Sequence, residues 1–229
     1  MAYLLDRYSR NISTLSAQEN ESLKNFSVCV VGCGGLGGYI IEMLGRLGIG
    51  HITAIDGDAF DESNLNRQVL SDMESIGVKK SLKAKERMGK VNPLIEVKAV
   101  TEKLTELNGR EILKGADVVV DALDSIETRL MLENLCEELN IPLVHGAIAG
   151  WYGQVATILP GDGTLKRLFE GKAAKGIEKK LGNPSFTPAL VASIEVSEVV
   201  KLLIKRGQVL SKKMLVIDLL EQEYEIITL

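Results

Sequence analysis

The run VCVVGCGGLGG holds the residues with the clearest chemical meaning. Gly32, Gly34 and Gly37 stand in GxGxxG spacing directly after an apolar stretch and at the start of a helix-like one, with Gly35 inside the same loop. Glycine permits a tight turn and lets phosphate approach backbone N–H groups, and the N-terminus of a helix adds partial positive charge. Asp56 ends the next apolar run, 19 residues after Gly37, where a carboxylate can take a ribose hydroxyl. This much suits a nicotinamide oxidoreductase as well as an ATP enzyme.

The stretch that follows separates the two. IDGDAFDESNLNRQ carries Asn64 and Arg67 three apart, hence on one face if the segment is helical, and Lys80 follows Gly77. Arg and Lys beside a phosphate loop neutralise a triphosphate and a departing pyrophosphate, which hydride transfer does not require. Asp58 and Gln68 of the same stretch join the expected nucleotide-binding set. In VVVDALDSIETR, Asp121 and Asp124 stand at the carboxyl end of an apolar run, the edge at which open α/β sheets bind ligands. One of these carboxylates could hold Mg²⁺, a hard ion that bridges phosphates. The competing use is helix capping by Asp124 or Ser125, and a Ser125 cap would leave Asp124 free. ATP and Mg²⁺ are the expected cofactors.

Elements that could position these residues alternate along the chain. Strands are expected at Phe26 to Val31, His51 to Ile55, Ile95 to Val100, Ala116 to Asp121 and Pro142 to Gly146. Helices are expected at Thr14 to Asn25 (capped by Ser13 or Thr14), Gly35 to Leu47, Val78 to Val91, Leu104 to Leu113 and Ile126 to Leu139. Such alternation gives an α/β, Rossmann-like, mostly parallel sheet flanked by helices. Trp151 to Leu159 and Lys213 to Leu229 look like consecutive β segments, an antiparallel extension of that sheet. Between them lie a Gly- and Lys-rich crossover loop over 160–185, expected to be mobile, and a long helix over Phe186 to Lys205. The 229 residues suit one domain, with residues 1–25 as a helical N-terminal arm.

Composition sets bounds. A net charge of −4 gives no general reason to expect nucleic acid or an anionic membrane as partner. Three cysteines, Cys29, Cys33 and Cys136, with no CxxC pair, fit neither a disulfide framework nor a four-cysteine zinc site, and suit a reducing cytoplasm. The first residues, MAYLLDRYSRN, lack a signal-peptide pattern, and no run is apolar for the roughly 18 residues a membrane span needs.

In RYSRN, GCGGLGG, IDGDAFDESNLNRQ, GVKK, Asn92–Pro93, DALDSIETR, GAIAGWYGQV and SFTPALVASIEVSEVVKLL, the chain resembles the ThiF/MoeB/HesA family over nearly its whole length. That fold is shared with the adenylation domain of ubiquitin-activating enzymes. The resemblance implies adenylation of the C-terminal glycine carboxylate of a ubiquitin-like sulfur-carrier protein ending in Gly-Gly, with release of pyrophosphate. It implies that Asp56 binds the ribose, that Asn64, Arg67 and Lys80 contact phosphates, and that Asp124 holds Mg²⁺ near the α-phosphate. It further implies that Arg10 reaches the ATP of a partner subunit in a homodimer. Asn11 stands where the family usually has Gln.

A carboxylate is already a nucleophile, so positioning and charge neutralisation suffice and no general base is needed. His51 and His145 are then read as structural. Many relatives carry two zinc-binding CxxC pairs and a crossover cysteine that captures the activated carrier; this chain has neither, and no zinc is expected. Cys33 in the phosphate loop could have a lowered pKa from the helix terminus, although core filler is the plainer reading. The expected product is therefore a free acyl-adenylate passed to a separate sulfur donor. Alternatives are an enzyme resembling the tRNA threonylcarbamoyladenosine dehydratases, a non-catalytic carrier-binding scaffold, and a nicotinamide oxidoreductase. Against the scaffold stands the retained set Arg10, Asn64, Arg67, Lys80 and Asp124.

Overall fold

The computed structural model describes residues 6–169 and 181–229. Among them, one sheet of eight strands runs in the order β3-β2-β1-β4-β5-β6-β7-β8. Strands β1 (Ser27–Val31), β2 (His51–Ile55), β3 (Glu96–Val100), β4 (Val118–Asp121) and β5 (Leu143–Ala149) are parallel. Strands β6 (Tyr152–Ile158), β7 (Lys213–Asp218) and β8 (Glu223–Thr228) continue antiparallel, as the consecutive β segments predicted. The outermost strands alternate charge with apolar residues: Glu96 and Lys98 on β3, Glu223 and Glu225 on β8.

Period-2 alternation divides the side chains of the central strands between two cores. Val28, Val30, Val118, Val120 and Val144 pack with α2 (Gly35–Leu47), α3 (Lys80–Val91) and α7 (Phe186–Ile204). Cys29, Val31, Val119 and Leu143 point to the other face, under α4 (Glu106–Leu113) and α5 (Ile126–Leu139). Each such apolar side chain stabilises the fold by roughly 1.5–3 kcal/mol relative to exposure.

Two glycines explain why α2 begins where it does. Gly32 adopts φ +98, and a Cβ there would lie 2.5 Å from the Ala122 carbonyl oxygen. A Cβ on Gly37 would lie 1.8 Å from the Gly32 carbonyl oxygen, so helix and turn can meet only through glycine.

Several expected boundaries shift. The first α-helix, α1, is Ala17–Ser22 rather than Thr14 to Asn25, and its cap is Ser16. Ser16 and Glu19 form a reciprocal capping box, while Ser13 sits in a left-handed turn at φ +79. Leu23–Asn25 continues as a single 3-10 turn. Strand β5 extends three residues past Gly146 because Ala147, Ile148 and Ala149 pair with β6. Lys213 to Leu229 is two strands, reversed at Leu219–Gln222. The crossover begins as helix α6 (Thr164–Phe169), whose Leu165 and Lys166 N–H groups are held by the buried Glu133 carboxylate. Residues 170–180 of the predicted mobile crossover lie outside the described residues. No described helix is long and apolar enough to cross a membrane.

Candidate active site

A cleft of about 600 Å³ opens at the carboxyl ends of β1, β2, β3 and β4. It sits where the strand order reverses, between β1 and β4, the switch point at which open α/β sheets bind ligands. The glycine turn forms its floor. Gly34 caps α2 without a side chain and Gly35 is the first helical residue, so the end of α2 is presented to the cleft. A Cβ on Gly35 would meet only ordinary contacts, Pro188 at 3.7 Å and Arg67 at 3.8 Å. Protein packing does not demand glycine there, whereas a ligand lying against the backbone would.

Asp56 directly follows β2 and ties two loops together. Its Oδ2 accepts the Cys33 N–H at 2.8 Å and its Oδ1 accepts the Asp58 N–H at 2.8 Å. Each oxygen keeps a lone pair for a further donor. Lys80 is the first residue of α3, and its N–H donates to the Asp58 carbonyl at 3.0 Å. Helix α3 is braced against α2 by Arg87, which meets Glu42 at 3.0 Å, so Lys80 is held 9% exposed at the cleft wall. Arg67 and Gln68 line the same wall, and the buried Gln68 Oε1 has no partner among the described residues. Asp58 lies at the rim, paired with Lys103 at 3.5 Å.

Asp124 is exposed in the cleft and makes no hydrogen bond or ion pair among the described residues. Ser125 is the cap of α5, accepting the Thr128 N–H, which leaves Asp124 free. Asp121 is not available as a metal ligand: it is fully buried, with Oδ2 2.7 Å from His145 Nδ1 and Oδ1 accepting the Leu123 N–H at 2.9 Å. No cluster of three or more His, Cys, Asp or Glu suited to a metal occurs among the described residues. A lone carboxylate fits Mg²⁺ in the usual way for nucleotide sites, where phosphates and water complete the shell.

The predicted residues thus divide. Gly32, Gly34, Gly35, Asp56, Asp58, Arg67, Gln68, Lys80 and Asp124 line one cleft, and Gly37 shapes its turn. Asn64 does not line it: its side-chain oxygen folds back to accept the Asp61 N–H, capping the 3-10 turn Glu62–Asn64. The 3-10 helix ends at Asn64, whose carbonyl accepts the Arg67 N–H at 3.1 Å and the Gln68 N–H at 2.9 Å, and of the two side chains expected to share a face only Arg67 lines the cleft. Arg10 lies in an exposed 3-10 turn, Asp6–Asn11, away from the lining. Asn11 meets Asn20 at 3.1 Å.

The cysteines are all buried. The alternative of a lowered Cys33 pKa, set against the plainer reading as core filler, does not hold: burial, reinforced by the Asp56 charge, pushes that thiol well up. Burial raises Cys29 to about 11 and also pushes Cys136 up. His145 is buried, with Nε2 3.3 Å from the Gln154 amide. His51 pairs with Glu96 at 3.4 Å on the surface.

Sequence reasoning passed over Arg129, Lys103 and Asn183, which also line the cleft. Arg129 was legible: helical side chains lean toward the N-terminus, so a residue one turn after the Ser125 cap reaches back to the strand end. Glu195 was missed as well. Burial pushes its carboxyl well above the ordinary range, and neither oxygen has a partner among the described residues.

The ThiF family model matches residues 8–229. Among relatives, a sulfur carrier protein adenylyltransferase of Thermus thermophilus is 37% identical, over 98% of this chain and 87% of its own length. A SAMP-activating enzyme E1 of Haloferax volcanii is 34% identical, over 96% and 84%. A molybdopterin-synthase adenylyltransferase of Haemophilus influenzae is 32% identical, over 93% and 89%. Among solved structures, E. coli MccB with MccA-N7isoASN superposes with a TM-score of 0.84 at 24% identity, covering 97% of this chain and 71% of that one. The chain belongs to the ThiF family and is an adenylyltransferase.

Proposed function

We propose that this protein adenylates the C-terminal Gly-Gly carboxylate of a ubiquitin-like sulfur-carrier protein. A carboxylate oxygen attacks the α-phosphorus of ATP, the bond to the β-phosphate bridge breaks, and pyrophosphate leaves. The observation that carries this reading is the convergence of Lys80, Arg67 and Asp124, from three separate segments of the chain, on the glycine turn. That set supplies charge for a triphosphate and offers no hydride chemistry. The name of the Thermus relative supports a sulfur carrier protein as the substrate.

Within this reading the turn N–H groups and the start of α2 take phosphate oxygens. Asp56 takes the ribose, and Lys80 and Arg67 offset charge as pyrophosphate departs. Asn64 would have to leave its cap to reach a phosphate. Asp124 would hold Mg²⁺, which when bound neutralises phosphate charge and fixes the triphosphate's shape. Arg10 completes the site of a partner subunit in a homodimer, and the protein works in the cytoplasm. The acyl-adenylate is released to a separate sulfur donor without a thioester, since every thiol is buried and held protonated by that burial.

ATP–pyrophosphate exchange with carriers ending in Gly-Gly tests the proposal. Exchange should require the terminal glycine and fall by about 100-fold or more in Lys80→Ala, the scale of losing one transition-state charge contact. Exchange without any carrier, or a covalent thioester trapped on this chain, would sink it.

A further inference from the structure

The loop that presents Asp124 is held by groups the proposed chemistry leaves unused. Asp121, buried at the end of β4, accepts the Leu123 N–H at 2.9 Å. From α5, Arg129 donates through Nη2 to the Leu123 carbonyl oxygen. The same guanidinium faces Asp121, with Nε 3.6 Å from Oδ2. That oxygen also meets His145 Nδ1 at 2.7 Å, and His145 Nε2 meets the Gln154 amide at 3.3 Å.

Both backbone groups of Leu123 are therefore gripped, one by a carboxylate and the other by the guanidinium facing it. The carbonyl that Arg129 holds belongs to the peptide bond leading into Asp124. Arg129 carries a side chain only 10% exposed, and Asp121 is not exposed at all. A buried ion pair of this kind adds little net stability compared with an apolar replacement. What this one does is fix a backbone direction.

The geometry points to Asp121 and Arg129 as positioning residues that set the direction of Asp124 toward the nucleotide phosphates, with His145 orienting Asp121. This rests on the proposed role of Asp124 toward the metal–phosphate group. Asp121 and Arg129 act through the loop, as outer-shell partners act on metal ligands.

The test is calorimetric binding of ATP to the whole chain, with and without Mg²⁺, in wild type, Arg129→Lys, Asp121→Asn and Asp124→Asn. Lysine keeps the charge but has no fork to span Leu123 and Asp121 together. Mg²⁺ should tighten ATP binding in wild type, and that gain should shrink about tenfold in R129K and D121N, with Mg²⁺-free binding held within about twofold in D121N, whose carboxyl is buried outside the cleft lining. In the Asp124→Asn background, Arg129→Lys should cost nothing further. Glu198→Gln is the comparison for general loosening, since that carboxyl is buried on Thr157 and the Leu210 N–H. It should lower thermal stability and leave the Mg²⁺ gain intact.

An unchanged Mg²⁺ gain in R129K and D121N overturns the inference. So does equal loss with and without Mg²⁺ in D121N, or an Asp124→Asn protein that keeps the full gain. These measurements use no carrier, so a failure of carrier-dependent exchange would overturn the proposed substrate and leave this result standing.

Discussion

Gly35 and Gly37 are two residues apart and have different reasons to be glycine. At Gly37 a Cβ meets backbone at 1.8 Å, so Gly37→Ala must move the turn or the helix. Its cost should exceed about 2 kcal/mol, visible as a lower thermal midpoint. At Gly35 the protein leaves room and the position is helical, so Gly35→Ala should fold with unchanged or slightly higher stability. Its loss should fall on ATP, with affinity reduced about tenfold or more by a methyl where phosphate must approach the backbone. Equal ATP affinity in Gly35→Ala and wild type would remove the phosphate cradle from that residue. The spacing of the loop was readable in the sequence, but the two reasons were not. They depend on Gly32, Pro188 and Ala122, which only folding brings near.

At the scale of elements, legibility followed local punctuation. Helices α2 and α5 and strand β2 begin and end where the sequence places them, bracketed by the glycine turn, the Ser125 cap and the left-handed ends at Gly48 and Asn140. The first helix was misplaced because the Ser16–Glu19 box wins over earlier hydroxyl residues. Asp121 and His145 are 24 positions apart, and neither signals its partner by local pattern. The packing of α7 on the sheet hides a further consequence. Glu195 lies against Gly146 of β5, where a Cβ would be 2.3 Å from its carboxyl carbon.

Burial, reinforced by Asp121, raises the Glu195 pKa well above 4.5, so the folded state binds a proton that the unfolded chain releases at neutral pH. Its stability contribution is complete below about pH 4.5 and is lost as pH rises toward the raised value. Across that window the slope approaches about 1.4 kcal/mol per pH unit. Glu195→Gln should remove this slope: thermal midpoints of variant and wild type should draw together near pH 4.5 and diverge, variant higher, toward pH 8. Parallel curves would show that Glu195 is ionised in the fold.

For the whole molecule, the separation of Arg10 from the cleft is the fact that most needs a partner. If Arg10 serves a neighbouring subunit's ATP, two inactive variants should rescue each other. Mixed after co-refolding, Arg10→Ala and Lys80→Ala should recover about a quarter of wild-type exchange, because half of the dimers form with one intact site in two. No recovery, with mixed dimers verified by mass, would place Arg10 outside the neighbouring subunit's site. The ends of the sheet set another property of the molecule. Beyond β3 and β8 no described strand pairs, so each presents backbone donors and acceptors to any extended chain it meets. The charged residues alternating along both strands act as gatekeepers. Concentration, rather than unfolding, is then where their loss would first be felt: an uncharged β8 would template its own copies into ribbons while every active site remained folded.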